Sequence, residues 1–357
     1  MTTLDGFHDA YGATYGTRGE RAVVEHYGRP ERTGRAVRNG VGVYPRPTDV
    51  LAITGADRVD YLDNVLSTRV PAAPGEGCYG LLLTPTGRVR LDMYVYTDSD
   101  RVIVVLPPGE REDLVAEWQE KVFIQDVSFD SRPELTVIHV TGPEAPQALT
   151  PVTSGDLPSM PYACCTSTIG DVSVFVAAVD APAGEHSFEL LVDADDAATV
   201  LSELTTGGVP AIPFGTQTWE QLTLEAGTPL LDPDFRDEIP NNAGLRAAID
   251  FEKGCFVGQE VVSRIEHRGQ PNVRLVGLEF DDRPEPEAEL VNHGESVGRV
   301  TRAVPSPMLD TPIGFGYVPA DFHEEALALE DGTSARIVTL PFVEGSDRSA
   351  RLPAYGD

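Results

Sequence analysis

The stretch "DFEKGCFVGQEVVSRIEHRG", residues 250–269, sets two glycines around one cysteine and follows them with a helical pattern. Gly254 and Gly258 free the backbone on both sides of Cys255, which suits tight turns or a close ligand approach that a side chain would block. Over "QEVVSRIEH" the apolar residues Val261, Val262 and Ile265 share one face, so the spacing predicts a helix with these three turned inward. Cys255 then lies in the turn that enters a helix N-terminus. There the positive end of the helix dipole, and Lys253 two residues away, favour a thiolate. Residue type alone favours the same cysteine as a small buried hydrophobe beside a packing glycine, and the retained Lys253 brings the two readings level. Glu260 and Arg264 stand at i and i+4, the spacing of a helical ion pair.

Lys253 stands out against the composition. Among 27 lysines and arginines only Lys121 and Lys253 are lysine, and 57 acidic residues bring the net charge to −30. Such a surface repels DNA and anionic membranes, which disfavours a nucleic-acid role. Halophilic adaptation accounts for it: at molar salt the Debye length falls to roughly 3 Å and self-repulsion collapses. The acids are spread along the chain and form no tail, which argues against an acidic docking segment. Cys78, Cys164, Cys165 and Cys255 form no CxxC pair, so no zinc or iron–sulfur cage is predicted, and three of them read as small hydrophobes. No run of 18 apolar residues and no basic-capped apolar leader is present, so the expectation is a cytoplasmic protein without a span or signal.

Outward from the opening stretch, the chain reads as α+β. "DVLAITGADRVDYLDNVL" (49–66) is an apolar strand, a glycine, then a helix, and "LTVIHVTGPEAPQAL" (135–149) repeats that grammar. Three strands follow the first unit over 78–107, then a helix with Leu114, Val115, Trp118 and Val122 on one face. After the second unit come paired strands and two helices, the last ending at Gly227. The segment 228–255 is long and loop-like, which in compact domains points to function. From about Arg274 short strands with glycine turns predict a small β-barrel, and the tail "EGSDRSARLPAYGD" is expected to fray.

"KGCFVGQE" closely resembles the K-G-C-[YF]-x-G-Q-E signature of the YgfZ family, folate-binding proteins related to the T-protein (aminomethyltransferase) of the glycine cleavage system. "LLLTPTGRVRLDMYVY", "AGEHSFELLV", "WEQLTLEAGTPLLDPDF" and "SVGRVTRAVPSPMLDTPIGFGYV" are similar to further T-protein text, so the resemblance spans about residues 20–340. It implies a cloverleaf of two ferredoxin-like α+β modules around a pocket for tetrahydrofolate or a related pterin, closed by a C-terminal β-barrel. The expected boundaries are 1–272 for the folate-binding region and 273–345 for the barrel. Within the first, module one takes about 20–50 with 135–245, module two about 51–134, and the signature loop 246–272.

By the same resemblance Cys255, Lys253 and Asp92 are the candidate catalytic residues. Glu185, Gly254, Gly258, Gln259, Glu260 and Arg264 are the candidate folate contacts. Thr223 stands where the family's L-R-[IL]-E-A-G has arginine, which removes one cation that could meet a folate carboxylate. T-proteins lack the signature cysteine. The expectation is therefore an accessory factor for assembly or repair of iron–sulfur client proteins, linked through such an enzyme to tRNA modification. The alternative is one-carbon transfer from an aminomethyl donor to tetrahydrofolate.

Overall fold

The computed structural model describes residues 4–18 and 21–355, with the side chain of Arg268 outside that set; residue 20, where the resemblance begins, lies outside it too. A six-stranded sheet runs in the order Cys164–Ile169, Val172–Ala178, Ser187–Asp193, Leu135–Thr141, Gly42–Arg46, Ile212–Pro213. Its neighbours are antiparallel except the last pair. A five-stranded sheet has the order Gly77–Leu83, Val89–Thr97, Val102–Leu106, Asp49–Thr54, Ser128–Ser131. Six further strands between Val273 and Val338 close into a barrel. The architecture is α+β with a closed C-terminal barrel.

Strand alternation decides what each sheet face meets. Along Ser187–Asp193, Phe188, Leu190 and Val192 pack with Ala145, Leu149, Val200 and Leu201 of the helices Ala145–Leu149 and Ala197–Thr206. Leu191 of that strand, with Val137 and Phe175, joins the core of the five-stranded sheet instead. Both faces are thus buried, which explains why these strands read as continuous apolar runs. Glu189 and His139 lie on the Leu191 and Val137 face, side by side in register, and point into the layer between the sheets.

The opening stretch folds as its spacing predicts. A helix spans Gln259–Arg268 with Gly258 at its N-cap in the left-handed region (φ 82°), and Val262 is fully buried. Gly258 is needed twice, because a Cβ there would also lie 2.7 Å from the Thr84 carbonyl oxygen and 3.0 Å from Gly87 Cα. The loop is in this way seated on the "TPTG" turn of the Gly77–Leu83/Val89–Thr97 hairpin. Glu260 and Arg264 are both exposed and form no ion pair with each other.

Lys253 has a different task from the one its spacing suggests. Its side chain is 1% exposed, and Nζ donates to the carbonyls of Asp63 (2.5 Å), Leu66 (3.0 Å) and Thr68 (2.7 Å). These lie at the C-terminal end of the helix Arg58–Val65 and just beyond it, where a cation also meets the negative end of the dipole. The ammonium is committed there rather than to Cys255. Three acceptors converging on one point suit a compact ammonium and not a planar guanidinium, which accounts for lysine surviving here in an arginine-rich chain. Lys253→Met is expected to lose about 1–3 kcal/mol in urea unfolding, and Lys253→Arg to recover little of it; unchanged stability in Lys253→Met refutes the role.

The tail is not frayed. Ser346, Ser349 and Arg351 are buried, Ala350 N donates to the Asp180 carbonyl at 3.1 Å, and Ala354 N to that of Gly244 at 2.9 Å. Its bed is made by glycines far away in sequence: a Cβ on Gly184, Gly227 or Gly244 would meet Ser346, Leu352 or Pro353 and Ala354 at under 3 Å.

Candidate active site

The strand Val89–Thr97, "VRLDMYVYT", places Leu91, Met93 and Val95 on one face and Asp92, Tyr94 and Tyr96 on the other. That polar row faces Glu189 and His139 across the inter-sheet layer. Tyr96 Oη donates to Glu189 Oε2 at 3.3 Å, and Arg46 Nη1 meets Glu189 Oε1 at 2.5 Å. Tyr94 Oη donates to Asp180 Oδ1 at 2.6 Å, and Tyr79 Oη to Asp92 Oδ2 at 2.7 Å.

Arg351, from the tail, enters the same layer. Its Nε lies 2.8 Å from Asp180 Oδ2, its Nη1 3.8 Å from Asp92 Oδ2, and its Cζ sits over the Tyr79 ring at 4.7 Å. The result is a buried set of three carboxylates, two guanidiniums and three tyrosines. Only one carboxylate keeps an open edge. The Asp92 side chain is 12% exposed, those of Asp180 and Glu189 0%. Asp92 Oδ1 makes no hydrogen bond among the described residues.

Burial sets the electrostatics of the layer. It raises the carboxyl of Glu189 above the usual range, against the opposing pull of Arg46. It pushes the Cys78 thiol up to about 12, and Cys164 likewise to about 12, so neither is a thiolate near neutrality. His139 is fully buried, and burial together with the Arg46 and Arg351 charges holds it well below 6.5. The imidazole is neutral. A depressed folded-state value makes its contribution to stability complete above pH 6.5 and lost as pH falls below it. We expect up to about 1.4 kcal/mol of stability lost per pH unit on that limb. Urea titrations between about pH 7 and 5 check it, since His139→Phe is expected to flatten this part of the slope.

The structure brings together some of the residues proposed from sequence and separates others. Asp92 lies in the layer. Glu185 does not: it is half-buried in the turn before the strand Ser187–Asp193, near Arg38 and Arg348, while Glu189 four residues on faces Arg46 and Tyr96. Cys255 is exposed on the signature loop, Gly254 beside it has open space where a Cβ would go, and Gln259 is half-buried at the start of the following helix. Thr223 is buried and bonded to Arg302 Nη1 at 3.1 Å, so a barrel cation stands where the family's arginine is missing. Tyr79, Tyr94, Tyr96, Asp180, Glu189, Arg46, His139 and Arg351 escaped the sequence reading. The period-two row Asp92, Tyr94, Tyr96 was the available signal for three of the layer's residues.

Comparison with known proteins agrees with this architecture. The profile of the GCVT N-terminal domain matches residues 4–253, and that of the glycine cleavage T-protein C-terminal barrel domain matches residues 274–344. An aminomethyltransferase of Streptomyces avermitilis is 31% identical over 89% of this chain and 89% of its own length. One from Saccharopolyspora erythraea is 30% identical over 96% of this chain and 97% of its own. The crystal structure of the glycine cleavage system aminomethyltransferase T from Bartonella henselae superposes with a TM-score of 0.85, covering 99% of both chains at 21% identity. The chain belongs to the glycine cleavage T-protein family. Cys255 falls in the interval between the two matched domains, and Arg351 beyond the second. No helix among the described residues is long and apolar enough to cross a membrane.

Proposed function

We propose that the chain is an aminomethyltransferase-type enzyme that moves a one-carbon unit from an aminomethyl donor to tetrahydrofolate. One observation carries the reading: Asp92 is the single carboxylate of the inter-sheet layer with a free oxygen and an open edge. The relatives named aminomethyltransferases support the reaction class.

The residues present fit a folate. Asp92 Oδ1 offers a free acceptor for ring N–H and amino donors, while both Glu189 oxygens are engaged by Arg46 and Tyr96, and Tyr94 and Trp219 offer aromatic rings. Tetrahydrofolate, when bound, supplies the nitrogens that take up the carbon. Tyr79 fixes the Asp92 carboxylate through Oδ2, leaving Oδ1 to hold or receive a proton from a nitrogen at the open edge. Arg351 and the tyrosines keep that carboxylate in one orientation, and the buried walls exclude water from the transfer.

A second reading, the iron–sulfur accessory factor, is favoured by the signature loop. Lys253 and Phe256 are buried anchors, and between them Gly254 and Cys255 are presented to solvent. Tetrahydrofolate titration in molar salt, followed by a transfer assay with an aminomethyl-bearing carrier, tests both. Absence of saturable binding sinks the enzyme reading. Wild-type transfer in Cys255→Ala removes the thiol from that chemistry, and lost transfer with intact binding moves the chemistry to the loop.

A further inference from the structure

We infer that the cavity where the end of the helix Gln259–Arg268 meets the barrel and the tail binds an aliphatic α-amino acid as its zwitterion. None of the inter-sheet layer's residues borders this cavity, so the inference stands apart from the transfer reading.

The cavity has a volume of about 250 Å³, and four stretches far apart in sequence wall it: the loop 241–251, the helix end and exit 265–271, Arg274 and Ala320 of the barrel, and Ala354 and Tyr355 of the tail. At about 30 Å³ per water-sized unit that is room for about eight non-hydrogen atoms, close to the size of leucine. Gly244, at φ 66°, admits the tail against the loop, and Ala354 N closes that wall on the Gly244 carbonyl at 2.9 Å. Tyr355 spends its hydroxyl on Leu275 N (2.7 Å) and the Asn242 carbonyl (2.9 Å), so it offers the cavity only its ring.

Two of the lining groups are chemically unfinished. Asn241 Oδ1 is buried and accepts no hydrogen bond, while its Nδ2 meets the Val262 carbonyl only at 3.4 Å. A lone acceptor on a loosely held amide calls for an N–H donor. An ammonium is the donor best suited, because the helix ends here with its dipole negative and Glu266, 13% exposed, lines the same cavity.

Arg274 is unfinished in the opposite sense. Its Nη2 donates to the Phe322 carbonyl at 2.8 Å, and its other N–H groups have no partner among the described residues. Arg246, the other lining cation, is already paired with Glu266 at 2.6 Å. A carboxylate completes Arg274 through a charge-assisted bond. Ile249, Phe251, Ile265 and Pro271 supply apolar wall for an aliphatic side chain.

Simpler ligands fit less well. A bare carboxylate leaves Asn241 Oδ1 alone and meets Glu266 in a chain of net charge −30. A bare amine leaves Arg274 without a counter-charge. An α-amino acid brings both groups and no net charge.

The probes are L-leucine, 4-methylpentanoate (leucine without its ammonium) and 3-methylbutylamine (leucine without its carboxylate), titrated calorimetrically into the full chain at molar salt. L-Leucine is expected to bind saturably with Kd below about 10 mM, and each truncated probe about tenfold more weakly or less. Arg274→Met should weaken L-leucine about tenfold and leave 3-methylbutylamine unchanged. Asn241→Leu should weaken L-leucine about tenfold and leave 4-methylpentanoate unchanged. A merely structural role for either residue does not sort the probes by the charge they lack. Neither substitution should alter the tetrahydrofolate titration, whichever result the wild type gives there. If Asn241→Leu fails to fold, Arg274→Met and the truncated probes on the wild type decide. Absence of saturable L-leucine binding, a truncated probe binding as tightly as L-leucine, or undiminished L-leucine binding in Arg274→Met overturns the proposal.

Discussion

Asp92→Asn is expected to lower aminomethyl transfer about 10²–10⁴-fold, the range over which a positioned proton acceptor acts. The substitution is close to isosteric, and the Tyr79 hydroxyl can still donate to the remaining carbonyl oxygen, so the fold should persist. What is lost is the free, charged Oδ1 at the open edge of the layer. The loss should therefore fall on kcat, with tetrahydrofolate affinity changing less than tenfold, since Glu189 and the aromatic faces are untouched. Circular dichroism and a ligand titration separate chemistry from folding. Transfer within tenfold of wild type would remove Asp92 from the mechanism. Asp92→Glu should not rescue, because one added methylene carries the carboxylate off the Tyr79 hydroxyl.

Asp92 is reached from sequence through the T-protein resemblance of its segment; the two-residue repeat of a strand, with an acid flanked by Leu91 and Met93, marks the same polar inner face independently. Glu189 carries the same mark, a single acid inside "SFELLV", whereas the similarity of the motif points to Glu185. Burial separates the two glutamates, and burial depends on which strand faces which. The signature loop shows the converse. Its helix, turn and glycine cap were legible because they are local. The direction of the Lys253 ammonium was not, because its acceptors lie about 190 residues earlier. The tail failed for the same reason more severely. "EGSDRSARLPAYGD" has no period and few apolar residues, so nothing local predicts order. It is ordered by glycines at positions 184, 227 and 244, which leave room for it.

Arg351→Met is expected to cost about 3–5 kcal/mol of unfolding free energy, the usual result of breaking a buried ion pair on one side. Asp180 has no exposed side-chain surface, so without Arg351 its charge is left with only the Tyr94 hydroxyl. The guanidinium also covers the Tyr79 and Tyr94 rings, at 4.7 and 5.9 Å, and that packing goes with it. Arg351→Lys should restore only part, since one ammonium cannot span Asp180 and donate to the Tyr94 hydroxyl as the fork does. Pairing Arg351→Met with Asp180→Asn removes the stranded charge, and the double variant should be more stable than Arg351→Met alone. Urea unfolding at molar salt measures all four proteins, and a loss below about 1 kcal/mol for Arg351→Met would refute the pair as a structural pin. Deletion of residues 345–357 should reproduce the loss and also lower transfer. That segment carries the guanidinium that meets the Tyr79 and Tyr94 hydroxyls beside Asp92 and Asp180, so the layer is completed only when residues 345–355 cross back into it.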